Sequence, residues 1–506
     1  MAQKTHLELV RGAPDQVLTP HLVLHFLALV LPHLLLVLPA RLLVSHILLR
    51  WRSRIVQQVG RTALAEYLAK AAQFILSRLH VAQARIIFNR TRSYELVRRG
   101  PAFRGARDWV TRVEVNGTAG RWIAAPGTQR TNDDVVLYFI HGGGFVLDTG
   151  ANAQDFLLHV VKELKAKKGV QASVFCLDYR LAPEYKYPSQ LIETLAGYHY
   201  LVNALGISES KIVISGDSAG GNLAAAFLLH LARPCDEIRV PAELGATPKS
   251  PAGAFLISPF VNLASTAPSM SLNPRFDFID AGGAFRAACD YIGISPPPAH
   301  RPTMPGLNPL WHFRFPHQPA PCEGERLAEQ WGWKHCEDVE RFNDPYVNPC
   351  VQKEGKWWKE AMPGEGKTVV TWGGKEIFAD DDEAFFRQLE KAGVKPQRLV
   401  KQYGAHDWVL HDFSVPTVWR TKAKGAEADF DYGAKAAIDL LLRVANEAKE
   451  SKGYEVGDAA VETESYAAAA KVEAAGDAPV VAEGEGDVLA RSMGASGVMV
   501  DRSSQQ

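Results

Sequence analysis

The chain has 506 residues, and its 56 lysines and arginines balance 56 aspartates and glutamates, so the formal net charge at pH 7 is zero. This balance argues against a nucleic-acid partner held by bulk charge. Hydrophobic residues make up 47% of the chain, which is enough for a large core. The six cysteines include no C-x-x-C pair, which argues against a zinc site.

The N-terminal segment, residues 1–60, is strongly apolar. Leucine and valine dominate Val17–Leu49, and Leu22–Leu38 contains no charged residue. About 20 apolar residues are enough for a helix to span a bilayer, although Pro32 and Pro39 would kink it. We therefore predict a membrane anchor over residues 1–60. The alternatives are a buried or amphipathic cap helix and a monotopic hairpin.

Two signals disagree about the membrane side that the rest of the chain faces. Five arginines between positions 41 and 61 follow the apolar stretch, and the positive-inside rule then places the remainder in the cytosol. The glycosylation sequons at Asn89 and Asn116 have meaning only in a lumen. The orientation stays open.

A helical pattern is followed by a pattern of alternating strands and helices. Residues 61–105 are predicted as a helical cap, and Trp109–Ala124 alternates around Asn116-Gly117 as hairpins do. Apolar strands then alternate with helical segments, which indicates a parallel sheet of right-handed crossover units in a domain over residues 106–450. The strands predicted after the hairpin are Asp134–Ile140, Ala172–Leu177, Ile212–Ile214, Ala252–Ile257, Lys367–Trp372 and Arg398–Tyr403.

The segment from Ala264 to Gly355 interrupts this alternation and is rich in proline, glycine and aromatic residues. A structureless loop of this length is uncommon in a compact domain, so we predict an insertion that forms a lid with the N-terminal helices. The alternative is a surface excursion. Its cysteines, Cys322, Cys336 and Cys350, would be able to form disulfides in an oxidising lumen.

The last segment, residues 451–506, changes composition to alanine, glutamate, glycine and valine. Few large apolar side chains remain there to offset the entropy cost of ordering the chain. We therefore predict an acidic, disordered tail.

The chemistry of the chain centres on Gly216-Asp217-Ser218-Ala219-Gly220, a G-x-S-x-G sequence. It lies between an apolar β-branched run and a strong helix-forming segment, which is the context of a nucleophile elbow. The turn is so tight that side chains two positions before and after the serine would clash, and Gly216 and Gly220 remove them. The pattern predicts Ser218 as a nucleophile at the end of a strand.

A serine nucleophile needs an imidazole to accept its proton. In this strand order the histidine follows the last strand, and His406 is in a Gly-x-His turn directly after it. His411 is the alternative, but it lies five residues further on. We predict His406 as the general base.

A carboxylate that orients the imidazole is expected just after the preceding strand. Glu376 lies there, two residues beyond Gly373-Gly374. Asp380, Asp381 and Asp382 compete with it, but they are typical of the first turn of the next helix. Asp407 is adjacent to His406 and is expected to point the wrong way to orient it. We predict Glu376 as the acid.

An oxyanion hole is the fourth requirement of this chemistry. The sequence His141-Gly142-Gly143-Gly144 ends a predicted strand, and its glycines let backbone N–H groups approach an oxyanion without obstruction. The N–H of Ala219, after the nucleophile, is a further donor. We predict donors at Gly142, Gly143, Gly144 and Ala219.

Three motifs occur in a characteristic order: His-Gly-Gly-Gly-Phe at 141–145, Tyr-Arg-Leu-Ala-Pro-Glu at 179–184 and Gly-Asp-Ser-Ala-Gly-Gly-Asn at 216–222. From about Val135 to Tyr432 the chain resembles the hormone-sensitive-lipase branch of the α/β-hydrolases, which includes arylacetamide deacetylases. The resemblance implies an α/β-hydrolase fold, with a mainly parallel eight-stranded sheet, helices on both faces and a helical lid. It also implies a serine carboxylesterase that needs no cofactor and no metal.

The chain departs from this family at the acid, which is usually an aspartate in an Asp-Pro-Leu motif. Here the segment reads Glu376-Ile377-Phe378. A glutamate together with an N-terminal membrane segment is similar to fungal steryl acetyl hydrolases. That resemblance implies short-chain, acetyl-type esters of bulky hydrophobic alcohols such as sterols, and a membrane location, expected at the endoplasmic reticulum.

Two other functions fit parts of the same pattern. One is a hydrolase that acts on esters in secondary metabolism. The other is a non-catalytic ligand receptor of the kind that plant gibberellin receptors resemble, although such receptors lack a triad member. Tyr179, Arg180, Glu184 and Asp217 are predicted to support the site by hydrogen bonds and not to act in catalysis.

Overall fold

The computed structural model describes residues 6–44, 62–115, 117–294, 337–414 and 429–454. Several predictions fall outside these residues. They concern the arginines from position 50 to 61, the sequon at Asn116, the middle of the insertion with Cys322 and Cys336, and the tail beyond position 454.

Eight strands form one sheet within the described residues, in the order β1-β2-β4-β3-β5-β6-β7-β8. β1 pairs with β2 and β2 with β4 in antiparallel fashion, and the other neighbours are parallel. The strands are β1 Val110–Val115, β2 Thr118–Ile123, β3 Val135–Ile140, β4 Ala172–Leu177, β5 Ile212–Asp217, β6 Gly253–Ile257, β7 Thr368–Gly373 and β8 Gln397–Lys401. The predicted hairpin and the mainly parallel sheet are both confirmed.

Helices connect the strands and cover the sheet. The main helices that the structure describes are α1 Pro20–Leu43, α2 Ala63–Arg78, α3 Val81–Ile87, α4 Arg90–Arg98, α5 Gln154–Lys168, α6 Ser189–His199, α7 Ala219–Ala232, α8 Pro268–Leu272, α9 Ala281–Ile292, α10 Gly355–Ala361, α11 Ala379–Lys391, α12 Trp408–Ser414 and α13 Tyr432–Tyr454.

The central strand β3 is buried on both faces, and its side chains alternate between two cores. Val136, Tyr138 and Ile140 join the core that contains residues of α6 and α7. The intervening residues of β3 join the core formed with α5 and α13. The expectation of helices on both faces of the sheet is therefore confirmed.

A third, smaller core joins the N-terminal helices to the rest of the molecule. Val30 and Leu34 of α1 pack with Ile75 of α2 in this core, which also includes Leu147 and Ala287. The segment predicted as a helical cap does form helices, namely α2, α3 and α4. Arg286 of α9 donates a hydrogen bond to the Ser77 carbonyl of α2 (2.9 Å). The first part of the insertion, which includes α9, therefore lies against the N-terminal helices.

Candidate active site

The nucleophile elbow has the strained backbone that its sequence predicts. Ser218 lies between β5 and α7 with φ 52° and ψ −117°, in a region that L-residues rarely adopt. A Cβ at Gly216 would lie 2.3 Å from the Gly220 carbonyl oxygen, and one at Gly220 would lie 2.0 Å from that of Ile140. Both positions therefore require glycine, and the turn holds Ser218 at the carboxyl edge of the sheet.

The structure brings Glu376 and His406 together, because the loops after β7 and β8 meet at this same edge. Glu376 Oε1 lies 3.9 Å from His406 Nδ1, and both side chains are buried. The second carboxylate oxygen of Glu376 accepts hydrogen bonds from Ser258 Oγ and from the Gly373 amide, both at 2.8 Å. Glu376 is thus fixed with one oxygen aimed at the imidazole, at a separation slightly beyond hydrogen-bond length.

Asp407 also lies beside the imidazole, but at the other nitrogen. Its Oδ2 is 3.4 Å from His406 Nε2, while its amide donates to Ser258 Oγ (3.0 Å). It has a φ of 51°. Asp407 therefore does not face the Nδ1 nitrogen that an orienting acid holds. It adds negative charge on the Nε2 side, and the sequence does not indicate this contact.

The charge state of His406 follows from these neighbours. Burial alone lowers the pKa of the imidazole, but the carboxylates of Asp407, Glu376 and Asp277 outweigh it and raise the pKa of His406 to about 10. The protonated ring is therefore stabilised at neutral pH.

The competing candidates make other contacts, although His411 lines the same cavity as Ser218. Asp380 accepts a hydrogen bond from the Ser269 amide (2.8 Å), and Asp381 accepts one from Asn262 Nδ2 (2.8 Å), in the first turn of α11 as predicted. Asp382 is fully buried; burial first, and then the neighbouring Glu376, raise its pKa well above the usual range. The ring of His411 contacts Phe278 at 4.8 Å.

The predicted oxyanion donors are not equivalent. The Gly142 amide donates to Asp217 Oδ1 (3.0 Å), so this N–H is already engaged. Gly143 and Gly144 have φ values of 98° and 60° and line the same cavity as Ser218. Ala219 is the first residue of α7, where helix N–H groups have no intrahelical partner.

The residues predicted to support the site make hydrogen bonds around it. Tyr179 donates its hydroxyl proton to the His141 carbonyl (2.9 Å), which holds the glycine-rich loop. Arg180 pairs with Glu193 at 2.7 Å. A further pair links Glu184 to an arginine of α3 at 2.6 Å and so ties the cap to the sheet domain.

Ser218 and His406 open into one cavity of about 290 Å³. The cap and α9 supply part of its wall, and Gly143 and Gly144 of the glycine-rich loop line the same cavity. The apolar wall includes Leu68, Ala72, Leu76, Leu79, Val81 and Phe88. The reacting groups therefore face an apolar space.

Sequence reasoning missed two residues at this site. Ser258 bridges Glu376 and Asp407, and Asp277 accepts hydrogen bonds from the amides of Ile377 and His406. Asp277 is 129 positions from His406 in the chain. Because it lies in the insertion, no local motif indicates it.

Comparison with known proteins supports the class of the chain. A family model described as an α/β-hydrolase fold matches residues 137–316. An esterase of Acinetobacter venetianus is 26% identical over 296 residues, which cover 58% of this chain and 72% of that protein. Esterase LipU of Mycobacterium tuberculosis is 32% identical, over 37% of this chain and 58% of its own length. Hormone-sensitive lipase of Mus musculus is 36% identical, over 21% of this chain and 13% of its own length.

The solved structures that resemble this chain include two esterases. One is an esterase from the bacterial hormone-sensitive lipase family, with a TM-score of 0.45 and 23% identity over 71% of this chain and 97% of the other. Another is carboxyl esterase 2 of Tuber melanosporum, with a TM-score of 0.45 and 17% identity over 67% of this chain and 85% of the other.

The sheet topology and the matched family model define the chain as an α/β-hydrolase-fold protein, and the predicted fold class is confirmed. Its relatives place it, more particularly, among carboxylic-ester hydrolases with homologues in the hormone-sensitive lipase family, which confirms the predicted enzyme class. The chain spans 72% of the Acinetobacter esterase but less than two thirds of LipU and of hormone-sensitive lipase.

Proposed function

We propose that the chain is a serine carboxylesterase for short-chain, acetyl-type esters of bulky hydrophobic alcohols, with sterols as the expected alcohols. The observation that carries the proposal is the cavity. Ser218, in its strained elbow, and His406, faced by Glu376, line the same apolar space.

The reaction begins when Ser218 Oγ attacks the ester carbonyl carbon and its proton passes to His406 Nε2. The amides of Gly143, Gly144 and Ala219 stabilise the oxyanion of the tetrahedral intermediate, since the Gly142 amide is held by Asp217. Collapse breaks the bond to the alcohol oxygen, which takes the proton from His406. Glu376 stabilises the imidazolium through Nδ1.

Water completes the cycle. It attacks the acyl-enzyme carbonyl as His406 accepts one of its protons, and the second tetrahedral intermediate expels Ser218 Oγ. The serine recovers its proton from His406, and the carboxylic acid leaves. The ester bond between Ser218 and the acyl group is made in acylation and broken in deacylation, and water supplies the hydroxyl of the acid and, in balance, the proton that the alcohol took.

The apolar wall favours a hydrophobic alcohol, because burying apolar substrate surface there is favourable by roughly 25 cal/mol per Å². The short acyl group rests on the resemblance to steryl acetyl hydrolases. A comparison of acetyl, butyryl and long-chain esters, with acetylated sterols included, tests this choice. Preference for a polar alcohol would favour the alternative role in secondary metabolism.

Removal of the nucleophile is the direct test. We expect Ser218→Ala to abolish hydrolysis of p-nitrophenyl acetate and labelling by a fluorophosphonate, because no other group replaces the attacking hydroxyl. The matched control is Ser271→Ala, which removes an exposed hydroxyl bonded to the Pro268 carbonyl and should leave both readouts intact. A folded wild-type chain that fails to label would instead favour the receptor function.

We further propose that the protein associates with a membrane through α1, which lies in the plane of the membrane surface. α1 is long and apolar enough to cross a bilayer. Yet it packs one side into the third core, while the side chains of Leu24, Leu27, Leu35 and Leu36 are 56–68% exposed. A helix that is apolar on both sides, with one side covered by the protein, can bury its exposed leucines in the acyl boundary of a membrane surface.

Polar contacts between α1 and the cap support the in-plane arrangement over a spanning helix. Tyr67 donates to the Leu34 carbonyl at 3.0 Å, and Gln83 Nε2 donates to the Leu22 carbonyl at 2.8 Å. A helix that crosses the bilayer away from the domain would lose both contacts. The endoplasmic reticulum as the location rests on the resemblance to steryl acetyl hydrolases.

A further inference from the structure

Asp277 is a fully buried carboxylate in the segment between β6 and α9, and it joins two loops of the site. Its Oδ2 accepts a hydrogen bond from the Ile377 amide (2.8 Å). Its Oδ1 accepts one from the His406 amide (3.1 Å) and one from the Phe278 amide (2.8 Å). Ile377 directly follows Glu376, so one carboxylate connects the acid loop with the histidine loop.

The same segment holds the acid loop at two further points. Asn273 Nδ2 donates to the Glu376 carbonyl (2.8 Å), and Ser269 Oγ donates to the Ile377 carbonyl (2.7 Å). Asp277 alone of these three also reaches His406. A carboxylate removed from water is costly unless its oxygens are satisfied, and here three backbone amides satisfy them. Such a group constrains the loops more than a neutral acceptor would.

The separation between Glu376 Oε1 and His406 Nδ1 gives this constraint its importance. These two atoms lie 3.9 Å apart. A movement of one loop towards the other by about one ångström would therefore bring Glu376 and His406 within hydrogen-bond distance. The loops belong to different strands, and the Asp277 carboxylate spans them directly. Phe278, the next residue, lines the cavity, and its ring lies 5.6 Å from that of His406.

We propose that Asp277 is a positioning residue, which fixes Glu376 and His406 relative to each other and joins them to the covering segment. The proposal rests on the proposed roles of these two residues. Asp277 is not among the residues that line the cavity, so it acts through Glu376 and His406.

The test is Asp277→Asn, which keeps the shape and removes the charge. The charged groups that face His406 are Asp407, Glu376, Asp277 and Asp217. Loss of one carboxylate destabilises the imidazolium, so we expect the acidic limb of the pH profile of kcat/KM to move to lower pH. We also expect kcat to fall by about tenfold or more with KM little changed, because two loops lose their common acceptor.

Asp381→Asn is the matched control. Asp381 is also buried and accepts hydrogen bonds from Asn262 and Ser265, but it contacts neither catalytic loop amide. We expect it to lower Tm and to leave the acidic limb in place. Suppose that Asp277→Asn lowers Tm as much as Asp381→Asn does and yet leaves kcat, or the acidic limb of the pH profile, unchanged. In that case Asp277 has only a structural role and the proposal is wrong.

A second variant covers the case in which Asp277→Asn does not fold. Asp277→Glu keeps the charge but pushes the loops apart by one methylene, so kcat should fall while the acidic limb stays in place. Unchanged kcat in this variant overturns the proposal. A different result would contradict the proposed function itself: hydrolysis that persists in the Ser218→Ala variant.

Discussion

At the scale of single residues, the imidazole of His406 has an unusual surrounding of negative charge. Glu376 faces Nδ1 and Asp407 faces Nε2, and Asp277 accepts from the backbone amide of the same residue. The two ring nitrogens therefore have acidic neighbours on both sides. His406 acts as a general base only when Nε2 is unprotonated. The surrounding carboxylates favour the protonated ring, so they reduce the fraction of His406 that is able to accept a proton at neutral pH.

This arrangement predicts an alkaline dependence of activity. The pKa of His406 is raised to about 10, so the neutral base becomes more abundant as pH rises, and kcat/KM should increase from neutral to alkaline pH. Asp407→Asn removes charge next to Nε2 and should move the acidic limb to lower pH by roughly one unit. Initial rates with a p-nitrophenyl ester across pH measure both.

The control for this pH experiment is Asp236→Asn, since the Asp236 side chain is 95% exposed and pairs with Arg239. It should leave the profile unchanged. A wild-type acidic limb at the ordinary histidine value, about 6.5, would contradict the proposed effect of Asp407.

At the scale of elements, the nucleophile elbow depends on the close approach of β5, α7 and β3. The Gly220 backbone lies so near the last carbonyl of β3 that no side chain fits between them. The strained φ of Ser218 is kept because β5 and α7, which flank it, both pack in the core that contains α6. The elbow is thus stable only within the assembled sheet.

Gly220→Ala tests this dependence. The added methyl group would lie 2.0 Å from the Ile140 carbonyl oxygen, so the backbone has to shift. We expect a loss of stability on the order of 1–3 kcal/mol, typical of overpacking, together with a large loss of activity. Thermal unfolding and ester hydrolysis measure the two effects.

Gly364→Ala is the matched control, because nothing lies within 4 Å of a Cβ there and its φ is not positive. It should change neither Tm nor activity appreciably. If Gly220→Ala behaves like this control, the backbone approach at the elbow is looser than the structure shows.

At the scale of the whole molecule, helices α2 and α3 and the described first part of the insertion, through Phe278 and α9, line the cavity of the candidate site. α1 carries exposed leucines on its outer side, and the neighbouring cap supplies part of the cavity wall, where Leu68 is 37% exposed. If α1 binds the membrane as proposed, a substrate dissolved in the membrane would meet the cavity near that surface.

Vesicle flotation tests this arrangement. We expect the purified chain to float with phosphatidylcholine vesicles without detergent, and Leu24→Glu with Leu35→Glu to abolish flotation, because two charges would enter the acyl boundary. The control is Leu96→Glu, which alters a leucine on α4 that is 72% exposed. Flotation that survives in the α1 variant, or a chain that needs detergent throughout purification, would contradict an in-plane helix.

Much of the fold was predictable because its signals are local. The alternation of apolar strands with helical segments and the Asn116-Gly117 turn indicate the sheet without knowledge of distant contacts. The order of Ser218, Glu376 and His406 along the chain predicts each of them at the end of a strand, and in the structure they follow β5, β7 and β8. The competing aspartates at 380–382 are recognisable as the first turn of a helix for the same local reason.

Other features depend on contacts between distant segments. Asp277 reaches its partners across about 100 and 129 positions, and Ser258 reaches Glu376 across 118. The Gly142 amide, expected among the oxyanion donors, is instead held by Asp217, 75 positions away. Periodicity and motifs carry no information about such pairs, because the loops that make them have no repeating pattern.

By itself the sequence determined the class of fold, the elbow and the order of the candidate triad, since strand, helix and turn preferences act over a few residues. Only the tertiary structure decided which side of α1 is buried, which glycine amide of the loop is already hydrogen-bonded, and which carboxylates surround His406. The physical reason is that burial and hydrogen bonding between distant loops set these features, and both exist only once the strands have brought their carboxyl ends together.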